Sequence, residues 1–216
     1  MVRRQSTDLV DLTVLALLLQ DPRHPYELHR LIVDTHHKGH VADLPRSLHH
    51  AVDRLMSDAL IVADETGREG ERAERTVYRI TAEGRAELAA RLRGLLALPD
   101  GDRRTLTTAV SLLGYLPVEE AVRSLGARAA ALEGGIAALD GATETLRSGG
   151  LPRLLLLELE YARAATAAEL QWVRGLLADI RVGELTWASP LTDADLGARR
   201  DLGQAASRED ESGRGI

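Results

Sequence analysis

The chain has 216 residues, of which 44% are hydrophobic and 28% are charged, and its formal net charge is −6. This apolar content is enough to bury the core of one large domain or of two smaller ones. The absence of Cys excludes a disulfide framework and a thiolate metal site. The apolar run at residues 14–19 is too short to span a bilayer, and Asp8 and Asp11 precede it where a signal peptide would be basic. We therefore expect a cytoplasmic protein with no membrane partner.

The first two predicted elements are helices joined by a short turn. The first helix presents an apolar stripe made of Leu9, Leu12, Ala16 and Leu19. It ends at Asp21-Pro22, because proline lacks an N–H and restricts the residue before it. Pro25 fits the first turn of the second helix. The apolar residues of the second helix are Leu28, Leu31 and Ile32.

A third helix, predicted over residues 44–55, has two contrasting faces. Its apolar residues follow the i, i+3, i+4, i+7 spacing that buries one side, namely Leu48, Ala51, Val52 and Leu55. The other side carries Arg46, Ser47, His49, His50 and Arg54. Two interpretations are open at this point. The helix is either an amphipathic surface helix with solvated polar residues or a helix that enters the major groove of DNA.

Two short strands are predicted at residues 60–63 and 76–80, joined by a charged loop that contains two glycines. The arginines of this loop are Arg68, Arg72 and Arg75. The loop is either a solvated turn with alternating Arg and Glu or a group of arginines that reaches the DNA backbone or the minor groove. Three helices followed by a basic hairpin predict a winged helix-turn-helix with a two-stranded wing.

A fourth helix, over residues 82–98, is predicted to connect the two halves of the chain. Thr81 stands at its cap position. Its apolar residues are Leu88, Leu92 and Leu95. The turn that begins at Pro99 places a domain boundary after Leu98, so residues 1–98 form the first predicted domain.

The second half of the chain is organised around two long helices, which makes the fold class mainly α. The first long helix has apolar positions alternately four and three residues apart, which is the spacing of a coiled-coil seam: Val118, Val122, Leu125, Ala129, Leu132, Ile136, Leu139, Thr143 and Leu146. A turn at Gly149-Gly150 leads into the second long helix, which runs to about Arg181. These antiparallel helices predict a dimerisation domain at residues 99–182. The polar composition that follows predicts a largely disordered tail at residues 183–216.

The residues predicted to form dimer contacts lie on both long helices. They are Leu125, Leu132, Ile136, Leu139, Leu159, Trp172, Val173, Leu176 and Ile180. Trp172 has two interpretations, as an aromatic side chain that fills the dimer interface or as a wall of a pocket for a small molecule. Because only 3% of the chain is aromatic and Phe is absent, a flat aromatic ligand would meet few stacking partners.

Several segments resemble the PadR family of bacterial transcriptional regulators. They are LALLL at residues 15–19, HPYEL at 24–28, SLHHAVDRL at 47–55, VYRITAEGR at 77–85, LELEYAR at 157–163 and ELQWV at 169–173. Together they cover roughly residues 9 to 182. The resemblance implies a homodimeric regulator, usually a repressor, that binds double-stranded DNA and dimerises through C-terminal helices. It also implies a small-molecule effector as a further partner.

Within this interpretation, the first residues of the third helix meet the base edges. The predicted base readers are Arg46, Ser47, His49 and His50. Arg54 lies further along the helix and is predicted to contact phosphate, as are the loop arginines. Arg46 stands where the family usually has glycine, and His49 where it commonly has tyrosine, so we expect an idiosyncratic operator sequence.

Charge and histidine content leave two alternatives to consider. The first 98 residues are nearly neutral and most of the acidic excess lies after them, which predicts weak non-specific DNA binding. One alternative is therefore a coiled-coil interaction module whose winged helix binds protein instead of DNA. A lesser alternative is a metal sensor, because imidazoles suit zinc, nickel or copper. Its candidate residues are His24, His29, His36, His37 and His40.

No motif supports an enzyme. The chain lacks a Gly-x-Ser-x-Gly elbow, a phosphate-binding Gly-x-x-x-x-Gly-Lys loop and a His-Glu-x-x-His zinc motif. Gly39 interrupts the helix that would place His36 and His40 on one face, so no specific metal site is assigned. We therefore expect no catalytic residues, no cofactor and no bound metal, and a repressor of a palindromic operator as the function.

Overall fold

The computed structural model describes the backbone of residues 2–35, 44–64 and 76–188, and the side chains of residues 9–33, 48–64 and 76–188. The predicted tail therefore lies almost entirely outside the described residues. The helices are α1 (Val2–Leu18), α2 (Pro25–Thr35), α3 (Leu44–Ser57), α4 (Ala82–Ala97), α5 (Arg103–Ser111), α6 (Val118–Ser148) and α7 (Leu157–Val182). The strands are β1 (Ile61–Asp64) and β2 (Val77–Ile80), and short 3-10 turns occur at Leu113–Tyr115 and Arg153–Leu156. The predicted fold class, mainly α with three helices followed by a two-stranded wing, is confirmed.

The described residues divide into two compact units. One contains the chain up to Leu92 together with Ser111–Leu116, and the other contains Arg93–Val110 and Pro117–Trp187. The division falls inside α4, so this single helix begins in the first unit and ends in the second. None of the described helices is both long and apolar enough to cross a membrane.

The core of the first unit is built around α1. Every residue from Val10 to Leu18 is buried, because α1 packs against α2, α3 and β2. The predicted single apolar stripe of α1 was therefore too narrow. Leu9 and Leu19, its outer members, are only half-buried, while the residues between them are covered on all sides. A helix surrounded in this way needs apolar residues around its whole circumference, and the run at residues 14–18 provides them.

The wing is an antiparallel pair in which Ile61 faces Ile80 and Asp64 faces Val77. A third short stretch joins it at Arg23, whose backbone N–H donates to Tyr78 O at 2.9 Å while Tyr78 N–H donates to Arg23 O at 2.9 Å. The sequence analysis did not predict this pairing, because a single paired residue leaves no alternating pattern.

The first turn of α4 is fixed to the start of the wing. The Thr81 hydroxyl accepts a hydrogen bond from Gly84 N–H at 3.0 Å, which confirms Thr81 as the cap of α4. The same hydroxyl lies 3.0 Å from Leu60 O, and Thr81 N–H also donates to Leu60 O at 3.0 Å. Gly84 allows this close approach, because a Cβ at Gly84 would lie 2.1 Å from Leu60 O.

The second unit is dominated by a hairpin of α6 and α7. Ion pairs join Glu133 to Arg174 and Asp140 to Arg163, so positions advance along α6 as they recede along α7 and the helices are antiparallel. The Arg163 guanidinium hydrogen-bonds the Asp140 carboxylate and holds its pKa below the ordinary value for an aspartate. Arg153 lowers the pKa of Glu160 in the same way.

The predicted heptad seam of α6 faces α7 of the same chain. Its members Leu125, Ala129, Leu132 and Thr143 are buried there, whereas Leu146, near the end of α6, is exposed. The buried positions of α7 are Leu170, Val173, Leu177 and Ile180. Much of the heptad pattern is therefore accounted for by packing within one chain.

We expect Gly84→Ala to lower the free energy of unfolding by about 1–3 kcal/mol, because the added methyl group overlaps a backbone carbonyl that cannot move freely. Gly94→Ala, in the same helix, is the matched control, since nothing lies within 4 Å of its added Cβ. That change is expected to raise stability by roughly 0.5–1 kcal/mol. Urea unfolding monitored by circular dichroism measures both. Equal effects of the two substitutions would show that the contact with Leu60 is not tight.

Candidate nucleic-acid interface

The amphipathic character of α3 is present in the structure. Leu48, Ala51, Val52 and Leu55 are buried, while His49 and His50 are exposed on the opposite side. Arg46 and Ser47 belong to the first turn of α3, but their side chains lie outside the described residues. The structure therefore places two of the four predicted base readers, His49 and His50, on one exposed face of α3.

Arg54 has an acidic partner that the sequence analysis did not identify. Its Nε donates to Asp11 Oδ2 at 3.2 Å and its terminal nitrogen donates to Asp11 Oδ1 at 2.5 Å. The Asp11 side chain is only 7% exposed, whereas that of Arg54 is 39% exposed. This two-point ion pair joins α3 to α1, so much of the Arg54 charge is balanced within the protein. The only sequence signal for this pair was an aspartate at the start of the apolar stretch of α1.

Three other arginines of the first unit are exposed and have no acidic partner within ion-pair distance among the described residues. They are Arg30 on α2, Arg79 on β2 and Arg85 on α4. The arginines that do have such partners are Arg23 with Asp21, Arg54 with Asp11 and Arg91 with Glu87. These three arginines could not be predicted from the sequence, because burial and pairing decide which cations remain available and neither can be read from composition.

The predicted arginines of the wing loop, Arg68, Arg72 and Arg75, lie outside the described residues. The strand that follows them is described, and it places Arg79 on the exposed side of β2, between the half-buried Tyr78 and the buried Ile80. The described part of the wing therefore offers one exposed cation, Arg79.

His24 forms the N-terminal cap of α2. Its Nδ1 accepts a hydrogen bond from Tyr26 N–H at 3.1 Å, and its backbone N–H donates to Glu27 Oε2 at 2.9 Å. This is the reciprocal arrangement of a capping box, with an imidazole in place of a hydroxyl. His36, His37 and His40 lie outside the described residues, and within the described part of the chain no three His, Cys, Asp or Glu residues are arranged to hold a metal ion.

The predicted dimer residues fall into two groups. Leu125, Leu132, Val173 and Ile180 are buried, and Ile136, Leu139, Leu159 and Leu176 are half-buried. Trp172 is different, because it remains 47% exposed and lines a shallow groove on α7 with Ala168, Gln171, Gly175, Leu176 and Asp179.

A longer apolar stripe runs along the outer side of α7 and the turn before it. Its large members are all exposed: Leu154, Leu157, Tyr161, Trp172 and Val182. They follow spacings of three, four, eleven and ten residues, which keep them on one side of a helix. An apolar stripe that is exposed to solvent in a single chain is typical of a helix that packs against another chain.

Comparison with known proteins finds a family match within the first unit. Residues 14–90 match the transcriptional regulator PadR-like family. Among solved structures, PadR of Bacillus subtilis in complex with operator DNA is 17% identical, covers 79% of this chain and 98% of its own, and gives a TM-score of 0.35. PadR of Bacillus subtilis in complex with p-coumaric acid is 16% identical, with coverages of 81% and 97% and a TM-score of 0.35.

A PadR-like transcriptional regulator of Bacillus cereus is 17% identical to the chain, covers 81% of it and 99% of its own length, and has a TM-score of 0.35. No curated protein matches the chain.

We expect Arg54→Ala to lower the free energy of unfolding by about 1–3 kcal/mol, because the Asp11 carboxylate would stay buried without its main partner. Asp11→Asn in the Arg54→Ala background removes the buried charge that Arg54 had faced and should recover part of the loss. A double-mutant cycle by urea unfolding measures the coupling. Additive effects of the two changes would mean that the pair contributes nothing to the position of α3.

Proposed function

We propose that this protein, whose residues 14–90 match the transcriptional regulator PadR-like family, is a repressor that binds a two-fold symmetric operator as a homodimer. The observation that carries the proposal is the exposed histidine face of α3, in a three-helix unit followed by a wing. A helix with one buried and one polar, accessible side fits the major groove of B-DNA. The proposal places the protein in the cytoplasm, where its DNA is found.

Base reading is assigned to the first half of α3. In this proposal Arg46, Ser47, His49 and His50 contact base edges, because the N-terminal residues of a recognition helix enter the groove first. Arginine donates two hydrogen bonds to guanine, and histidine donates one through a ring nitrogen. Arg54 acts differently, because its ion pair with buried Asp11 sets the position of α3 on α1.

Phosphate contact is assigned to the wing. Arg68, Arg72 and Arg75 are proposed to reach the DNA backbone or the minor groove, and Arg79 joins them because it is exposed and lacks an acidic partner among the described residues. A few well-placed cations are enough for a nearly neutral domain to bind DNA, because each phosphate that a cation neutralises releases counterions. Specificity then rests mainly on base contacts and on the spacing of the two recognition helices.

Dimerisation is assigned to the outer stripe of α7, which is Leu154, Leu157, Tyr161, Trp172 and Val182. In this proposal a second copy covers the stripe, while the buried residues such as Leu125 and Val173 support it from within the hairpin. Trp172 and the groove beside it are also the proposed place for a small-molecule effector. A ligand there would act by changing the separation of the recognition helices, to which a two-site complex is sensitive.

The second candidate function is a winged helix that binds protein. The near-neutral first half and the internally balanced Arg54 favour it, because both lower the positive field that DNA binding uses. The two candidates differ in their need for Arg46 and His49, since a protein-binding surface has no requirement for donors aimed at base edges.

Selection of bound sequences from a random duplex pool tests operator binding. We expect a two-fold symmetric motif, with Arg46→Ala and His49→Ala each weakening binding by about 1–3 kcal/mol per lost base contact and relaxing selectivity at one position. Arg123→Ala, an exposed arginine of α6, is the matched control and should leave the motif unchanged. If the wild-type protein enriches no motif even at low salt, the protein-binding function becomes the better explanation.

Sedimentation equilibrium tests the dimer surface. Tyr161→Glu with Trp172→Glu is expected to raise the dimer dissociation constant at least tenfold, because aromatic anchors of an interface typically contribute about 2 kcal/mol or more each. Arg123→Glu serves as the control for added negative charge at an exposed site elsewhere on the hairpin. A wild-type chain that sediments as a monomer at micromolar concentration, or a double variant that dimerises normally, would refute the assignment of this stripe.

A further inference from the structure

Arg128, in the middle of α6, is a fully buried charged residue. Only 1% of it is exposed. Its Nε donates to Glu169 Oε1 of α7 at 2.6 Å, and one terminal nitrogen donates to Leu98 O at 2.7 Å and to Leu95 O at 3.1 Å. We call this group, Arg128 with Glu169 and the carbonyls of Leu95 and Leu98, the Arg128 clamp.

The two carbonyls belong to the C-terminal end of α4. The last carbonyls of a helix have no partner within the helix and carry the negative end of its dipole, so a guanidinium satisfies both needs at once. The planar fork of arginine is required for this, because it donates in two directions from one rigid group. The clamp therefore holds the end of α4 against a side chain of α7.

Stability alone does not explain a charge at this position. Taking a guanidinium and a carboxylate out of water costs several kcal/mol, and apolar residues of similar size often serve equally well. Glu169 keeps 30% of its side chain exposed, so the pair is desolvated mainly on the arginine side. A buried pair of this kind fixes one relative placement of the elements it joins.

The N-terminal end of α4 is also held by hydrogen bonds. Its first turn is tied to the wing through Thr81 and Leu60, and the Cβ that Gly84 lacks would overlap Leu60 O. α4 is one continuous helix of 16 residues with its N-terminal end on the wing and its C-terminal end in the clamp. The helix whose C-terminal end contacts Arg128 is thus the same helix whose first turn contacts the start of the wing.

We propose that Arg128 is a positioning residue for operator binding, which makes the placement of the recognition helix depend on α7. This inference rests on the proposed function. It predicts different effects on binding to a duplex with both half-sites and to a duplex with one half-site. Binding to a duplex with both half-sites requires the correct spacing of two recognition helices, whereas binding to a single half-site requires only an intact winged helix.

The test compares full-site and half-site affinities for the intact chain, with duplexes derived from the selected motif. Arg128→Met and Arg128→Lys are expected to weaken full-site binding about tenfold while changing half-site binding by less than about twofold. Glu169→Gln, which keeps a hydrogen-bond acceptor in a partly exposed place, should give a smaller loss of the same kind. Arg174→Met is the control, because Arg174 and Glu133 also join α7 to α6 but contact no residue of α4 through a hydrogen bond.

Equal losses on both duplexes in the Arg128 and Glu169 variants would overturn the proposal, because they would indicate general damage to the fold. Unchanged full-site binding would overturn it as well. Dimer content, measured by sedimentation on the same samples, must match wild type, so a failure of dimerisation is recognised separately. If the wild-type chain selects no motif, the proposed function fails instead, and amide hydrogen exchange still decides the role of the clamp.

In that exchange experiment, Glu169→Gln and Arg128→Lys are expected to speed exchange at both ends of α4, including the first turn beside Thr81. Faster exchange confined to residues 94–98 would show that the clamp acts only locally, and the proposal would be wrong. Arg174→Met should leave exchange along α4 unchanged in either case.

Discussion

The first unit depends on the complete burial of the second half of α1. Because residues 10–18 are covered on all sides, α1 serves as the surface on which α3 is placed. One carboxylate, Asp11, lies in this mostly apolar surface, and a buried carboxylate requires a cationic partner. Arg54 supplies it from α3. The side of α3 that faces outward is consequently fixed by an ion pair as well as by apolar contacts.

This arrangement assigns the residues of α3 to separate tasks. Leu48, Ala51, Val52 and Leu55 anchor the helix, Arg54 pairs with Asp11 of α1, and His49 and His50 are exposed on the opposite side. In α4, too, different residues hold different parts of the helix: Thr81 holds its start and Arg128 holds its end.

The order of the elements could be predicted from the sequence, because the periods of the helices, the prolines at residues 22 and 25 and the alternation in the wing are local signals. The cap of α4 at Thr81 was predictable for the same reason. The Asp11–Arg54 pair was not, because its members are 43 residues apart and each alone looks like a surface charge. The burial of Arg128 could not be predicted, because it depends on partners far away in the sequence, which are Glu169 of α7 and the carbonyls of Leu95 and Leu98.

The heptad pattern of α6 illustrates a further limit. Its spacing predicted a seam but does not say whether the partner helix comes from the same chain or from another. In the structure α7 of the same chain takes that place, and the large apolar residues that stay exposed lie on the far side of α7, where alanines and a glycine separate them. The interrupted pattern there is weak as a sequence signal, although exposure makes it plain in three dimensions.

The pairing of Arg23 with Tyr78 has a consequence for how the wing meets other molecules. A two-stranded sheet offers two open edges, each able to accept an extended segment from another chain and to start unwanted association. Arg23 occupies the outer edge of β2 with both of its backbone groups, so a strand added on that side would find the backbone N–H and C=O of Tyr78 already taken. The wing can thus present side chains to a partner from β2 while being protected there against recruitment into a larger sheet.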